Sequence, residues 1–142
     1  SPELLERHRG FDAAIHAHQL ETACFSRECF MSTEAGRKAA LALLAEHPEL
    51  TAIFAASDVA ALGTVQAALE LGRAIPGELA IIGFDDLEIA ARQIVYPLTT
   101  MSQPKEQIGQ IAAQMMFDLL AGKSVNSRIL SVPLVVRKTT RS

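Results

Sequence analysis

Tryptophan is absent from this chain of 142 residues, and only 5% of its residues are aromatic. Any hydrophobic core must therefore be built from Ala, Leu, Ile and Val. Cysteine is equally scarce: Cys24 and Cys29 have no neighbouring histidine or cysteine pair, which favours reduced thiols over a disulfide framework or a metal site. The longest apolar runs fall far short of the ~20 residues that cross a membrane, so we predict no membrane contact.

The chain also lacks an excess of positive charge. It has 13 basic and 16 acidic residues, a formal net charge of −3, which argues against its holding nucleic acid by itself. No basic-then-apolar leader marks it for export, so we expect a cytoplasmic protein. A Gly-rich phosphate loop, a nucleophile elbow and a Cys–His arrangement are all missing, and we therefore predict neither catalysis nor a cofactor.

Two apolar runs that end in acidic residues organise what is present. Residues 79–82 are apolar and lead through Gly83 and Phe84 to Asp85 and Asp86, the pattern of a strand buried on both faces of a parallel sheet. Residues 51–56 repeat the pattern and end in Ser57 and Asp58. Because open α/β sheets bind ligands at the carboxyl ends of their strands, these two strands predict one crevice lined by carboxylates.

Helical periodicity alternates with these strands. It predicts helices over residues 2–20, 33–47, 58–71 and 104–121, and one helical turn within 87–96. Further strands are expected at 98–101, within 21–31 and within 128–137. Gly10 lies inside the first helix, where it suggests close packing. The alternation predicts an α/β fold of three layers, a mainly parallel sheet flanked by helices.

Among the acidic residues, Asp85 is the sharpest candidate for a ligand contact, because it directly follows the strand tip. Asp58 and Asp86 are equally compatible with capping the helix or turn that follows each of them. A carboxylate only accepts hydrogen bonds, so two or three around a crevice suit a ligand rich in hydroxyls or amines.

An ordered set of short motifs, spread over nearly the whole chain, resembles LacI/GalR-type transcriptional repressors. Each motif is weak by itself, whereas their order and spacing together are specific. They are Arg7–Phe11, Thr33–Gly36, Thr51–Asp58 with Ala61–Gly63, Ile81–Asp86, Pro97–Thr100 with Gln103 and Pro104, and Leu134–Arg137.

The resemblance implies part of a periplasmic-binding-protein-like (type I) effector-binding domain, incomplete because the helix-turn-helix head and the first half of the core would precede Ser1. Residues 1–101 would form the C-terminal lobe, residues 102–128 a helix of the N-terminal lobe, and residues 129–142 the closing strands and tail. The implied effector is a small polyhydroxylated molecule such as a sugar, and DNA would be bound only through the absent head.

The resemblance also assigns roles to residues. Arg7 and Asp85 would hold the effector, Gln103 would add a contact, and Ser57 would face the ligand where the family often has Asn. Met31 occupies the position of an aromatic residue that often stacks on the ligand. The family pairs its subunits through surfaces that correspond here to Leu62, Val65 and Ile94, which implies a homodimer.

Two other functions are compatible with the residues. A phosphoryl-accepting receiver domain also gathers aspartates, a threonine and a lysine at strand ends, although its acidic pair lies on the first strand. An exported solute-binding protein of the same fold is the other.

Overall fold

A four-stranded sheet forms the centre of the computed structural model, which describes residues 2–141. Its strands are β1 (Ala52–Phe54), β2 (Ala80–Phe84), β3 (Thr99–Met101) and β4 (Leu134–Val135), in the spatial order β1-β2-β3-β4. The first three are parallel, with Ile53 opposite Ile81 and Gly83 opposite Thr100, and β4 runs antiparallel to β3. The prediction of a mainly parallel sheet is confirmed.

The helices lie close to the predicted ranges. They are α1 (Pro2–Ala17), α2 (Thr33–Glu46), α3 (Asp58–Glu70), α4 (Glu88–Ala91) and α5 (Lys105–Leu120). Ser32 and Ser57 cap α2 and α3, because each hydroxyl accepts a hydrogen bond from the backbone N–H three residues later. Helix α2 ends just before Pro48, whose ring disfavours helical geometry in the preceding residue.

The core lies between α3 and the sheet and is built from aliphatic side chains, as the composition requires. Leu79, Ile81 and Leu98 are fully buried there, together with small residues of α3 such as Ala61 and Ala68. This packing fixes the carboxyl ends of β1 and β2 side by side.

Two local predictions were wrong. Residues 21–31 contain one short 3₁₀ turn, Glu21–Ala23, and no strand, since no strand of the described chain pairs with them. Gly10 does not pack closely, because a Cβ there would meet nothing within 4 Å. The strand expected within 128–137 is present but short: only Leu134 and Val135 form it, and Pro133, which has no N–H to donate, directly precedes them.

Helices α1 and α5 lie outside this core, and neither contains a buried residue. Large apolar side chains of α5 are exposed to solvent, Leu120 by 78% and Phe117 by 59%. Within residues 2–141, no helix combines the length and the apolar character needed to cross a membrane.

Candidate functional site

Arg7, Asp85 and Gln103 converge at the carboxyl end of β2, although they are far apart in the sequence. Arg7 Nη2 donates to Asp85 Oδ1 at 3.0 Å, and Gln103 Nε2 donates to the same oxygen at 2.6 Å. The side chains of Arg7 and Asp85 are 16% and 17% exposed, so this ion pair is partly shielded from water.

One carboxylate oxygen of Asp85 can still accept a hydrogen bond. Oδ1 takes both hydrogen bonds, while Oδ2 has no hydrogen-bond partner in the described part of the chain. Every buried side-chain nitrogen and oxygen described by the structure has a partner, so Oδ2 must be reachable by solvent. An accessible carboxylate oxygen beside a guanidinium and an amide can accept a hydrogen bond from an incoming hydroxyl or amine.

Arg7 is held in place from two further directions. Its Nη1 donates to the carbonyl oxygen of Ala56 at 2.6 Å, at the end of β1. Its guanidinium carbon also lies 3.9 Å from the centre of the Phe84 ring, a cation–π arrangement. Arg7 therefore joins the ends of both parallel strands to the site.

The strand tip that carries Asp85 has an uncommon backbone conformation. Asp85 and Asp86 have φ values of 118° and 52°, in the region that favours glycine. Such residues cost about 1–3 kcal/mol each and persist where the surrounding structure determines them. The two successive positive φ angles turn the neighbouring carboxylates toward different partners.

Asp58 lies beneath this turn and is fully buried. Its carboxylate accepts hydrogen bonds from Thr100 Oγ1 at 2.6 Å and from the Leu87 N–H at 2.7 Å. Burial raises the pKa of Asp58, although these two hydrogen bonds act to lower it. Asp58 thus links the start of α3 to β3 and to the segment that follows Asp86.

Asp86 points away from Asp85 and pairs with Arg137. Arg137 Nη2 donates to Asp86 Oδ1 at 2.6 Å, and Ser102 Oγ donates to Oδ2 at 2.8 Å. Burial acts to raise the pKa of Asp86, but the hydrogen bonds from Arg137 and Ser102 outweigh it, so the pKa lies below its ordinary value.

Two of the convergent residues, Arg7 and Gln103, line a cleft of about 610 Å³, whereas Asp85, to which both donate, is not among its lining residues. Arg7, Phe84 and Gln103 line one wall, and apolar residues of α5 such as Ile108 and Met115 line the other. The volume falls within the range of small-molecule sites, which also combine apolar walls with a few polar groups.

The structure places the remaining predicted ligand contacts differently. Ser57 is 3% exposed, and its hydroxyl accepts from the Ala60 N–H at 3.3 Å, so it caps α3 and does not face the cleft. The contact between Ser57 and a ligand stays a prediction. Met31 is 55% exposed in the segment before α2, and its stacking role stays a prediction.

The three residues predicted at the subunit contact differ in their exposure to solvent. Val65 is 8% exposed and belongs to the core between α3 and the sheet, and its role in a subunit contact stays a prediction. Leu62 is partly buried against the same core, whereas Ile94 is 94% exposed.

The sequence predicted no role for Phe84 or Arg137. It also did not predict that Thr100 binds Asp58. Phe84 and Arg137 stand inside the family motifs, and that position was the only available signal. A hydrogen bond between residues 51 positions apart, such as Asp86–Arg137, depends on the sheet order and leaves no trace in local spacing.

The acidic residues do not form a metal site. No group of three or more His, Cys, Asp or Glu side chains among residues 2–141 is arranged to hold a metal ion. Asp85 and Asp86 are each paired with an arginine, and both directly follow β2, the second strand of the sheet. Asp85 Oδ2 suits hydrogen bonding to a ligand, whereas both oxygens of Asp86 already accept hydrogen bonds.

Comparison with known proteins gives a consistent result. The model of the periplasmic binding protein-like domain matches residues 3–140. The ribose operon repressor of Halalkalibacterium halodurans is 33% identical over 138 residues, 96% of this chain and 41% of that protein. The chain therefore spans less than half the length of this relative.

Solved structures of LacI-family proteins are also similar to this chain. The Lac repressor dimer bound to operator and the anti-inducer ONPF is 30% identical, with a TM-score of 0.87 over 96% of this chain and 47% of that one. A LacI family regulator from Enterococcus faecium with bound ribose is 26% identical, with a TM-score of 0.85 over 96% of this chain and 51% of that one. The resemblance inferred from the motifs is confirmed.

Proposed function

The chain belongs to the periplasmic binding protein-like domain family, and from that premise we propose that it is the effector-binding part of a LacI/GalR-type repressor. Its ligand is a small polyhydroxylated molecule, a sugar or a related compound. The observation that supports this proposal most strongly is the convergence of Arg7 and Gln103 on Oδ1 of Asp85, which leaves Oδ2 accessible.

Recognition in this proposal uses hydrogen bonds and no chemical step. A ligand hydroxyl donates to Asp85 Oδ2, while the N–H groups of Arg7 and Gln103 that lie beside it donate to ligand oxygens. Arg7 is already oriented by Ala56, Asp85 and Phe84, so little conformational freedom is lost when the ligand binds. The relatives' bound ribose, and lactose in another LacI family regulator, are ligands of this chemical class.

We assign residues 1–101 and 129–142 to one lobe and the helix within 102–128 to the other lobe. The absence of buried residues in α5, and its exposed Phe117 and Leu120, support this division. The ligand would shift the balance between lobe arrangements, and a DNA-binding head outside this chain would respond to that shift in the cytoplasm.

Self-association completes the proposal. Ile94 and the neighbouring Ile89 and Val95 are 94%, 63% and 64% exposed, a group of apolar side chains that favours contact with a second copy. We assign the subunit contact to this group together with Leu62.

Titration of D-ribose, lactose and cellobiose into the repressor that contains this chain tests the ligand class. For the sugar that binds, Asp85→Asn should weaken affinity by about tenfold to a hundredfold, the value of a hydrogen bond to a charged group. Asp12→Asn is the matched control, because Asp12 is exposed on α1, where it pairs with His8. Equal affinity of the Asp85→Asn variant and the unaltered protein would defeat the proposal.

A further inference from the structure

The chain leaves the sheet after β3 and returns at β4, and Asp86 contacts the segment that follows each of these two strands. Ser102, the first residue after β3, donates to Asp86 Oδ2 at 2.8 Å. Arg137, two residues after β4, donates to Asp86 Oδ1 at 2.6 Å. The backbone carbonyl of Asp86 also accepts from Lys105 Nζ at 2.7 Å, at the start of α5.

Residues that flank β3 are also hydrogen-bonded to residues that flank β4. The Ser102 N–H donates to the Pro133 carbonyl at 2.8 Å, and Arg137 Nη1 donates to the Leu98 carbonyl at 2.8 Å. Asp86 and Arg137 are 21% and 20% exposed, so their ion pair is better shielded than those on the helix surfaces. The pair therefore joins the turn after β2, which carries Asp86, to the segment after β4, which carries Arg137.

Gln103 directly follows Ser102 and directs its amide to Asp85. We propose that Asp86 and Arg137 are positioning residues for the ligand site. Their ion pair fixes the segments that follow β3 and β4 and thereby holds Gln103 against Asp85. The proposal rests on the proposed function, since the site it serves is the sugar site. The two adjacent aspartates have different roles: Asp85 binds the ligand, and Asp86 binds the segments that follow β3 and β4.

Amide hydrogen exchange on this chain, without any ligand, tests the positioning role. In Asp86→Asn and in Arg137→Gln we expect the amides of Ser102, Met101 and Arg137 to exchange at least about tenfold faster, as local opening becomes easier. The amides of Ala55 and Ala80, which bond within the β1–β2 part of the sheet, should keep their rates.

The matched control is Glu88→Gln, which removes the Glu88–Arg92 ion pair two residues from Asp86, a pair that is 73% and 80% exposed. It should leave all of these rates unchanged. Unchanged exchange at Ser102 in both variants, or an equal acceleration of Ala55 and Ala80, would overturn the proposal, since the second result indicates only general destabilisation.

Sugar affinity provides the second readout, measured on the whole repressor. Asp86→Asn and Arg137→Gln should each weaken binding, and the double variant should be no weaker than the worse single variant, because both changes break one pair. Independent, multiplicative losses would overturn the coupling. If the unaltered repressor binds no sugar, the proposed function fails, while hydrogen exchange still decides whether Asp86 and Arg137 fix Ser102.

Discussion

Thr100 donates its hydroxyl hydrogen to the buried carboxylate of Asp58 at 2.6 Å, and this bond ties the start of α3 to the middle of β3. The same carboxylate accepts the Leu87 N–H directly after the strained turn at Asp85 and Asp86. A single buried acidic side chain thus connects three elements below the ligand-facing end of the sheet.

Truncation of Asp58 should be costly. Asp58→Ala leaves the Leu87 N–H and the Thr100 hydroxyl without their partner, so we expect the free energy of unfolding to fall by about 1–3 kcal/mol. Asp58→Asn keeps the shape and one acceptor oxygen and should cost less. Urea unfolding of the three proteins measures this, and equal losses in both variants would contradict the role given to these hydrogen bonds.

The raised pKa of Asp58 implies that the free energy of unfolding depends on pH. Because its folded-state pKa lies above the unfolded value of about 4, the folded protein binds the proton more tightly, and its stability falls as pH rises through that interval. Asp58→Asn removes this titration. Its free energy of unfolding relative to the unaltered protein should therefore improve as the pH rises from about 4. A difference that does not change with pH would contradict the prediction.

Asp86 should show the opposite dependence. Its folded-state pKa is lowered, so its contribution to stability is complete above the unfolded pKa of about 4 and is lost as pH falls through the folded value. Asp86→Asn lacks this contribution, so its acid unfolding, monitored by circular dichroism, should begin at a higher pH and be less steep than that of the unaltered protein. An identical acid transition would show that the ion pair with Arg137 adds no stability.

Gly36 and Gly63 allow α2 and α3 to approach closely. A Cβ on Gly63 would clash with the Thr33 carbonyl oxygen and lie 2.5 Å from the Arg37 nitrogen, both backbone atoms. Gly63→Ala should therefore lower the free energy of unfolding by about 1–3 kcal/mol. Gly10→Ala is the control, since the open space around Gly10 should let alanine raise stability by about 0.5–1 kcal/mol. A neutral Gly63→Ala would contradict the close approach.

The proposed subunit contact can be tested with one exposed residue. Ile94→Asp should leave the fold intact, because Ile94 is 94% exposed, and should weaken self-association by about tenfold or more, as expected for a charge placed in an apolar interface. Sedimentation equilibrium measures the dimer constant. Ile129→Asp, at a residue 100% exposed in the segment before β4, is the control and should have no effect. Equal dimer constants would remove Ile94 from the contact.

The sequence predicted the parts of the fold that local pattern controls. Short apolar runs defined β1 and β2, serine and proline defined the ends of α2, and the position after a strand identified Asp85. Only the resemblance assigned Val65 to a subunit contact, and because 8 of the 13 residues of α3 are buried, apolar spacing gave no independent evidence for a surface that pairs subunits.

Contacts at other positions were not predicted for similar physical reasons. Ser57 was assigned to the ligand by resemblance, and its hydrogen bond from the Ala60 N–H, which caps α3, was not predicted. The partners of Asp86 lie 16 and 51 residues away and follow from the order of strands, which no local pattern encodes.

The most direct test of the central claim is a crystal structure of the repressor with the sugar that it binds. The account predicts a sugar hydroxyl about 2.5–3.0 Å from Asp85 Oδ2, with N–H groups of Arg7 and Gln103 donating to neighbouring sugar oxygens. A sugar bound elsewhere, with Asp85 Oδ2 still in contact with water only, would contradict it.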